Sequence, residues 1–276
     1  MIIIGAGVTL GATRGPDGSL ARLTWAGLIR NGLDYLVNDV YNGTQDDRIR
    51  RAYSALESRS AEGLSDAAMI MKARLEQNNR FPTWLTSVFR DVYDEIQDHR
   101  VLDALKMLHK EGAMLLTTNY DDILEKHCDL QRVGRSSLED VLKFKSGDKD
   151  GIFHLHGSYE DPQEVVLDVV DYSTITHAVE VQNLLKTCLE ERTVLFVGCG
   201  SGLEDPNFGP LLKWFQERHK NIPNRHCLLL KDDDPLDVSP LRRVKVGLAY
   251  EKLDSFLFEL VDLPLQVAAP STGTSM

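Results

Sequence analysis

The sequence predicts an α/β fold: a Rossmann-like, doubly wound parallel sheet of about six strands with a helical insert. Three observations predict it. Short runs rich in Val, Ile and Leu lack the polar alternation of half-exposed strands, as expected where both faces of a sheet are covered. Helical patterns lie between these runs. Several runs stop abruptly in glycines or polar residues, which places those residues at the carboxyl ends of the strands, where such sheets bind ligands.

The apolar runs cover residues 2–5, 113–117, 152–155, 193–197, 226–230 and 244–249. A helix is expected over 101–110, where Leu102, Leu105 and Leu108 form one stripe and Gly112 is available to close it. Further helices are expected over 122–128, 171–190, 208–218 and 251–260. Residues 28–100 hold no convincing strand but many helix formers, with a break at Pro82, and form the helical insert. The polar stretch 132–150 reads as a loop with a short helix. We divide the chain into one domain over 1–265 and a disordered tail or linker over 266–276, which is small and polar.

Composition narrows the function. The chain has 276 residues, 42% hydrophobic and 26% charged, with no run near the roughly 20 apolar residues that span a bilayer. The short run after Met1 lacks a basic start and is too brief for a signal peptide, so we expect a cytoplasmic protein without a membrane partner. A net charge of −11 opposes binding to nucleic acid. Cys128, Cys188, Cys199 and Cys227 form no C-x-x-C pair, so neither a disulfide framework nor a zinc site is expected, and we assign no metal.

Four segments carry the candidate chemistry. Gly5, Ala6, Gly7, Val8 and Thr9 follow the first strand in a glycine-rich turn whose amides could approach a pyrophosphate, although Leu10 breaks the G-x-G-x-x-G pattern. A tight turn without a ligand explains this segment equally well. Thr118, Asn119 and Asp121 end the second run; Asn119 could instead cap a helix, and Asp121 and Asp122 could complement its dipole. In 152–158, His154 and His156 share a strand face, and His156 lies nearer the carboxyl end. Histidine titrates near neutrality and can take a proton from a ribose hydroxyl, while Gly157 leaves room for a substrate. His154 reads better as a structural histidine bonded to backbone. Gly198, Cys199 and Gly200 close the fourth run and again allow close backbone approach; Cys199 reads better as a packed thiol than as a nucleophile.

Taken in order, Gly5-Ala6-Gly7-Val8-Thr9, Asn119-Tyr120-Asp121, His156-Gly157 and Gly198-Cys199-Gly200 resemble the motifs of the SIR2-like superfamily, which includes the sirtuins. The resemblance runs from about residue 2 to about 260, loosely over the insert. It departs from protein deacylases, which carry two C-x-x-C pairs and a P-D-F-R segment that this chain lacks. Thr24-Trp25, Thr117 to Glu125, the His-x-His-Gly strand and Asp205-Pro206-Asn207-Phe208 are similar to an NADase-type branch found in antiphage defence proteins, fungal immune-type receptors and a related animal family. The resemblance implies an NAD glycohydrolase, with NAD as substrate, a homo-oligomer or filament as the working state, and a place in immunity. It implies His156 as proton acceptor, Asn119 as the group orienting water or ribose, and Asp121 as support. Gly5, Ala6, Gly7, Val8, Thr9, Thr118, Gly198, Cys199 and Gly200 would hold the dinucleotide, and Trp25 would pack a loop over the site. Two alternatives stay open: an NAD-dependent deacylase, and a module that binds NAD or ADP-ribose without turnover.

Overall fold

Three consecutive isoleucines form β1 (Ile2–Ile4), which lies in the middle of a seven-stranded sheet. The structure is a computed structural model and describes residues 1–13, 19–58, 60–200, 208–218, 226–238 and 241–262. The other strands are β2 (Leu115–Thr117), β3 (Arg132–Val133), β4 (Ile152–His154), β5 (Leu195–Val197), β6 (Cys227–Leu230) and β7 (Arg242–Lys245). Their order is β3-β4-β2-β1-β5-β6-β7, and every pairing is parallel.

Alternate residues of each strand feed two cores. Ile2, Ile4, Leu115, Ile152, Val197 and Leu229 pack on one side, and Ile3, Leu116, Phe153, Phe196, Leu228 and Leu230 on the other. Both faces are therefore apolar, which is why the strands read as unbroken runs. The first side is covered by α1 (Ala6–Thr13), α2 (Trp25–Tyr35), α6 (Arg100–Lys110), α7 (Ile123–Cys128) and α12 (Leu253–Asp262). The second is covered by α8 (Leu138–Ser146), α9 (Val169–His177), α10 (Val179–Glu191) and α11 (Phe208–Arg218).

Between α2 and α6 the chain forms a π-helical turn (Leu36–Val40), α3 (Asp47–Glu57), α4 (Ala61–Gln77) and α5 (Phe81–Phe89). These helices share the first core rather than enclosing one of their own. Trp84 is fully buried there and satisfies its indole N–H on Asn31 Oδ1 at 2.8 Å. Two contacts carry the insert to the carboxyl rim of the sheet. Lys72 of α4 pairs with Asp171 of α9, and Phe89 of α5 meets Tyr120 and Tyr159 at ring distances of 5.8 and 6.2 Å.

Four elements differ from expectation. Among the described residues there are seven strands, because the polar stretch 132–150 contains β3 as well as α8; two residues with one buried side chain, Val133, are too short to show a period. The last strand lies at Arg242–Lys245 rather than 244–249, since the chain turns at Gly247, whose φ is +95°. The helix expected over 171–190 is two helices, broken at Ala178 with extended ψ of 93°, and the first starts early because Asp168 and Asp171 form a capping box. The expected glycine-rich turn after β1 is helical from Ala6 onward. Residues 266–276 lie outside the described residues, as do Asp205, Pro206 and Asn207. Among the described residues no helix is long and apolar enough to cross a membrane.

Candidate active site

The four sequence segments meet along the carboxyl rim of β4, β2, β1 and β5. Gly5 N–H donates to Val197 O and Gly7 N–H to Gly198 O, both at 2.9 Å, which seams the first segment to the fourth. The seam admits no side chain. A β-carbon on Gly5 would lie 2.7 Å from Cys199 Cα, and one on Gly7 would lie 2.8 Å from Gly198 O. Gly198 itself has φ +69° and would place a β-carbon 2.6 Å from Val8 N. These glycines therefore serve backbone packing first. Three of the amides expected to face a pyrophosphate donate within the protein, since Val8 N–H also bonds Gly5 O at 3.1 Å.

Thr9 links the first segment to the second. Its buried hydroxyl donates to Asp121 Oδ2 at 2.8 Å and accepts from Asn119 Nδ2 at 3.1 Å. The sequence points to its backbone amide; the structure gives the organising role to its side chain. Asn119 is 7% exposed, and its backbone N–H is held by Thr117 Oγ1 at 3.0 Å. Its Oδ1 is buried and accepts no hydrogen bond from the described protein. An amide oxygen held in place without a donor is a cost unless a ligand supplies one. Thr118 turns away: its N–H bonds Ile4 O at 3.0 Å, and its hydroxyl lies 3.5 Å from the same oxygen.

Asp121 is 5% exposed. Burial pushes its carboxyl up to about 6, against the bonds from Thr9 and the Ile123 N–H that favour the anion. It stays ionised at neutral pH but close to its midpoint. Asp122 holds the first-turn N-cap position of α7 without a capping bond from its side chain, which instead accepts from Tyr159 Oη at 2.9 Å and pairs with Lys126 at 3.0 Å.

The third segment lies beside the second. Thr117 pairs with His154 in register, Leu155 N–H donates to Thr117 O at 2.9 Å, and Tyr159 N–H to Tyr120 O at 2.9 Å. Asn119 and His156 therefore each leave adjacent strands two residues beyond the last paired position. His156 is 4% exposed, with its ring edge-on to Tyr172 of α9 at 5.5 Å. Contrary to the sequence expectation, the space beside Gly157, at φ +79°, is taken by protein backbone rather than left for a substrate; a β-carbon there would sit 2.3 Å from Glu164 O. His154 faces inward, its Nδ1 3.1 Å from Gly157 O and its Nε2 on Glu125. Burial opposes its protonation, but the Glu125 carboxylate outweighs this and holds His154 above its ordinary value. The structural role expected for His154 holds; its acidic partner was not visible in the sequence, because Glu125 lies 29 residues away.

On the other side of α1 a cleft of about 240 Å³ opens between that helix, the starts of α6 and α12, and the Gly198 and Gly200 turn. Cys199 borders this turn with its thiol 3.5 Å from Ile3 O, the packed role expected of it. Trp25 packs against the first core at the start of α2.

Protein-family comparison matches residues 113–250, half of the chain, to the SIR2-like domain. The chain belongs to the SIR2-like domain family. The matched stretch contains the second, third and fourth segments, and the fold supplies the first through the seam at Gly198. The SIR2-like chain is also similar to defense-associated sirtuin 2 of Bacillus subtilis, at 28% identity over 141 residues. That alignment covers 48% of this chain and 13% of the relative, so the chain spans a small part of the length of the curated protein it matches. Among its described residues the SIR2-like chain has no group of three His, Cys, Asp or Glu side chains arranged to hold a metal ion.

Proposed function

We propose that the chain hydrolyses NAD at the nicotinamide–ribose bond, releasing nicotinamide and ADP-ribose. The observation that carries this is the Thr9 hydroxyl bridging Asn119 and Asp121, which holds a buried amide oxygen and a buried carboxylate at one rim, beside the strand that leads to His156. Family membership supports a dinucleotide as the substrate. The name of the Bacillus relative supports a role in defence.

In this mechanism the glycosidic bond breaks toward the nicotinamide nitrogen, leaving positive charge on the ribose, and a water oxygen forms the new bond to the anomeric carbon. Asn119 Oδ1 accepts a hydrogen bond from that water or from a ribose hydroxyl. Asp121, ionised and desolvated, stabilises the cationic ribose through space. His156 accepts the proton released as water adds and passes it to solvent. Gly5, Ala6, Gly7, Val8, Thr9, Gly198, Cys199 and Gly200 form the wall along which the dinucleotide lies. Turnover depends on self-assembly, as the resemblance to the NADase-type branch implies.

Chromatography of nicotinamide and ADP-ribose after incubation of the purified chain with NAD tests the proposal, across a dilution series and with and without an acylated peptide. Nicotinamide release without peptide, with specific activity rising with protein concentration, is the expected result. Release only with peptide would make the chain a deacylase. No release at any concentration would make it a binding module.

A further inference from the structure

Beneath the rim lies a buried pair, His154 and Glu125, that takes no part in the proposed chemistry. His154 is 1% exposed at the end of β4, and both of its ring nitrogens face acceptors: Nδ1 lies 3.1 Å from Gly157 O, and Nε2 meets the Glu125 carboxylate. A neutral imidazole has one N–H, so both contacts are hydrogen bonds only when the ring is an imidazolium. Glu125 sits in the first turn of α7, where the helix dipole favours an anion, so the proton resides on the ring.

A buried ion pair gives little net stability once desolvation is counted. Its action on its neighbours is more specific. The charged groups facing His154 are Glu125 and Asp121, both from the segment that opens α7. Burial is the largest cause of the raised Asp121 value; of the two charges, Glu125 raises it further and His154 lowers it. Without the imidazolium two desolvated carboxylates would share the start of α7, and one of them would take up a proton. The other ring nitrogen serves His156. Nδ1–H ties His154 to Gly157 O, and Val166 N–H ties His156 O at 2.9 Å, so the turn carrying His156 is held from two directions.

We infer that His154, an imidazolium pinned by Glu125, is a positioning residue for the proposed reaction: its charge keeps Asp121 ionised, and its Nδ1–H fixes the turn that carries His156. The inference rests on the NAD hydrolysis proposed for this site and adds the group that sets its charge.

NMR of the purified chain reads this without turnover. Nitrogen-15 spectra of the histidine rings, assigned through bonds to the backbone, should show both nitrogens of His154 protonated at neutral pH. A neutral tautomer would overturn the inference, and this measurement stands even if a variant fails to fold. Carbon-13 spectra follow the Asp121 carboxyl. His154→Gln keeps a donor for Glu125 but no charge, and should raise the Asp121 midpoint by about one pH unit or more. Combining it with Glu125→Gln removes both charges and should return the midpoint to the wild-type value. An unmoved midpoint in the single variant, or a raised one that the second substitution fails to restore, would overturn the inference. In nicotinamide release, the acid limb of kcat/KM should move with the Asp121 midpoint, whereas lost packing alone would lower kcat alike at every pH. Release whose acid limb ignores Asp121 would sink this inference alone. Asp121 shifts without any release from NAD would sink the hydrolase and leave the charge arrangement standing.

Discussion

The two flanks of α1 are built by opposite means. Toward β2 and β4 the space is filled with polar side chains that fix one another: Thr9 on Asp121 and Asn119, and His154 on Glu125. Toward β5 and β6 the chain removes side chains, and Gly7, Gly11, Gly198 and Gly200 line an open cleft. A reaction centre needs groups held at fixed positions, whereas a site for a flat or extended ligand part needs backbone out of the way. Substitutions on the two flanks should therefore fail differently, the first in turnover and the second in fold or binding.

The largest expected effect is on the polar flank. His156→Ala and Asn119→Ala should each lower nicotinamide release by about 10²–10⁴-fold with an unchanged circular dichroism spectrum. Full activity in either folded variant would remove that residue from the mechanism. Next, Gly198→Ala should cost about 2–4 kcal/mol in urea unfolding, because alanine at φ +69° also drives its β-carbon into Val8 N. A loss below about 1 kcal/mol would mean that the seam relaxes.

Thr9→Val should sharpen the comparison by striking the hub of the polar flank. It leaves Asp121 and Asn119 without their shared partner, and a loss of about 1–3 kcal/mol is expected together with reduced turnover. A variant with wild-type stability would break the claim that this hydroxyl organises the site.

Asp121 gives a pH test. Its folded-state value of about 6 lies above its ordinary 3.8, so its contribution to stability is fully present below about 3.8 and lost as pH rises through about 6. Melting curves from pH 7 to pH 4 should show wild type gaining on Asp121→Asn over that window, and parallel curves would refute the shift. Activity that requires the anion should fall as pH drops below about 6. The smallest effect is expected at Gly11→Ala, which should stabilise α1 by about 0.5–1 kcal/mol, since the helix loses a glycine and the new methyl meets only open space.

These contrasts also account for what could be read in the sequence. Parallel strands such as β1, β2, β4 and β5 are legible because both faces are buried, and the residues just past them fall at the rim because strands end where polar residues begin. The pairing of Thr9 with Asn119 and Asp121 was not legible, since 110 and 112 residues separate the partners and a threonine in a glycine-rich segment has no distinguishing pattern. Gly5 and Gly7 were noticed for the right property, absence of a side chain, but the neighbour that requires it is Gly198. The acidic cleft was invisible for a related reason. Asp98, Arg100, Glu251 and Asp254 come from the first residues of α6 and α12 and the segments just before them, whose approach depends on α6 packing against α12. The break at Ala178 was missed because alanine is a helix former, and only its extended backbone reveals the junction.

The seam between Gly5, Gly7 and Gly198 sets a gauge for the molecule. Where two elements meet through bulky side chains, a rotamer change can absorb a shift of an ångström. Here main chain rests on main chain, with nothing between to flex. The spacing between the start of α1 and the turn after β5 is thus measured out in thicknesses of peptide backbone, and a ligand lying along that junction meets a caliper rather than a hinge.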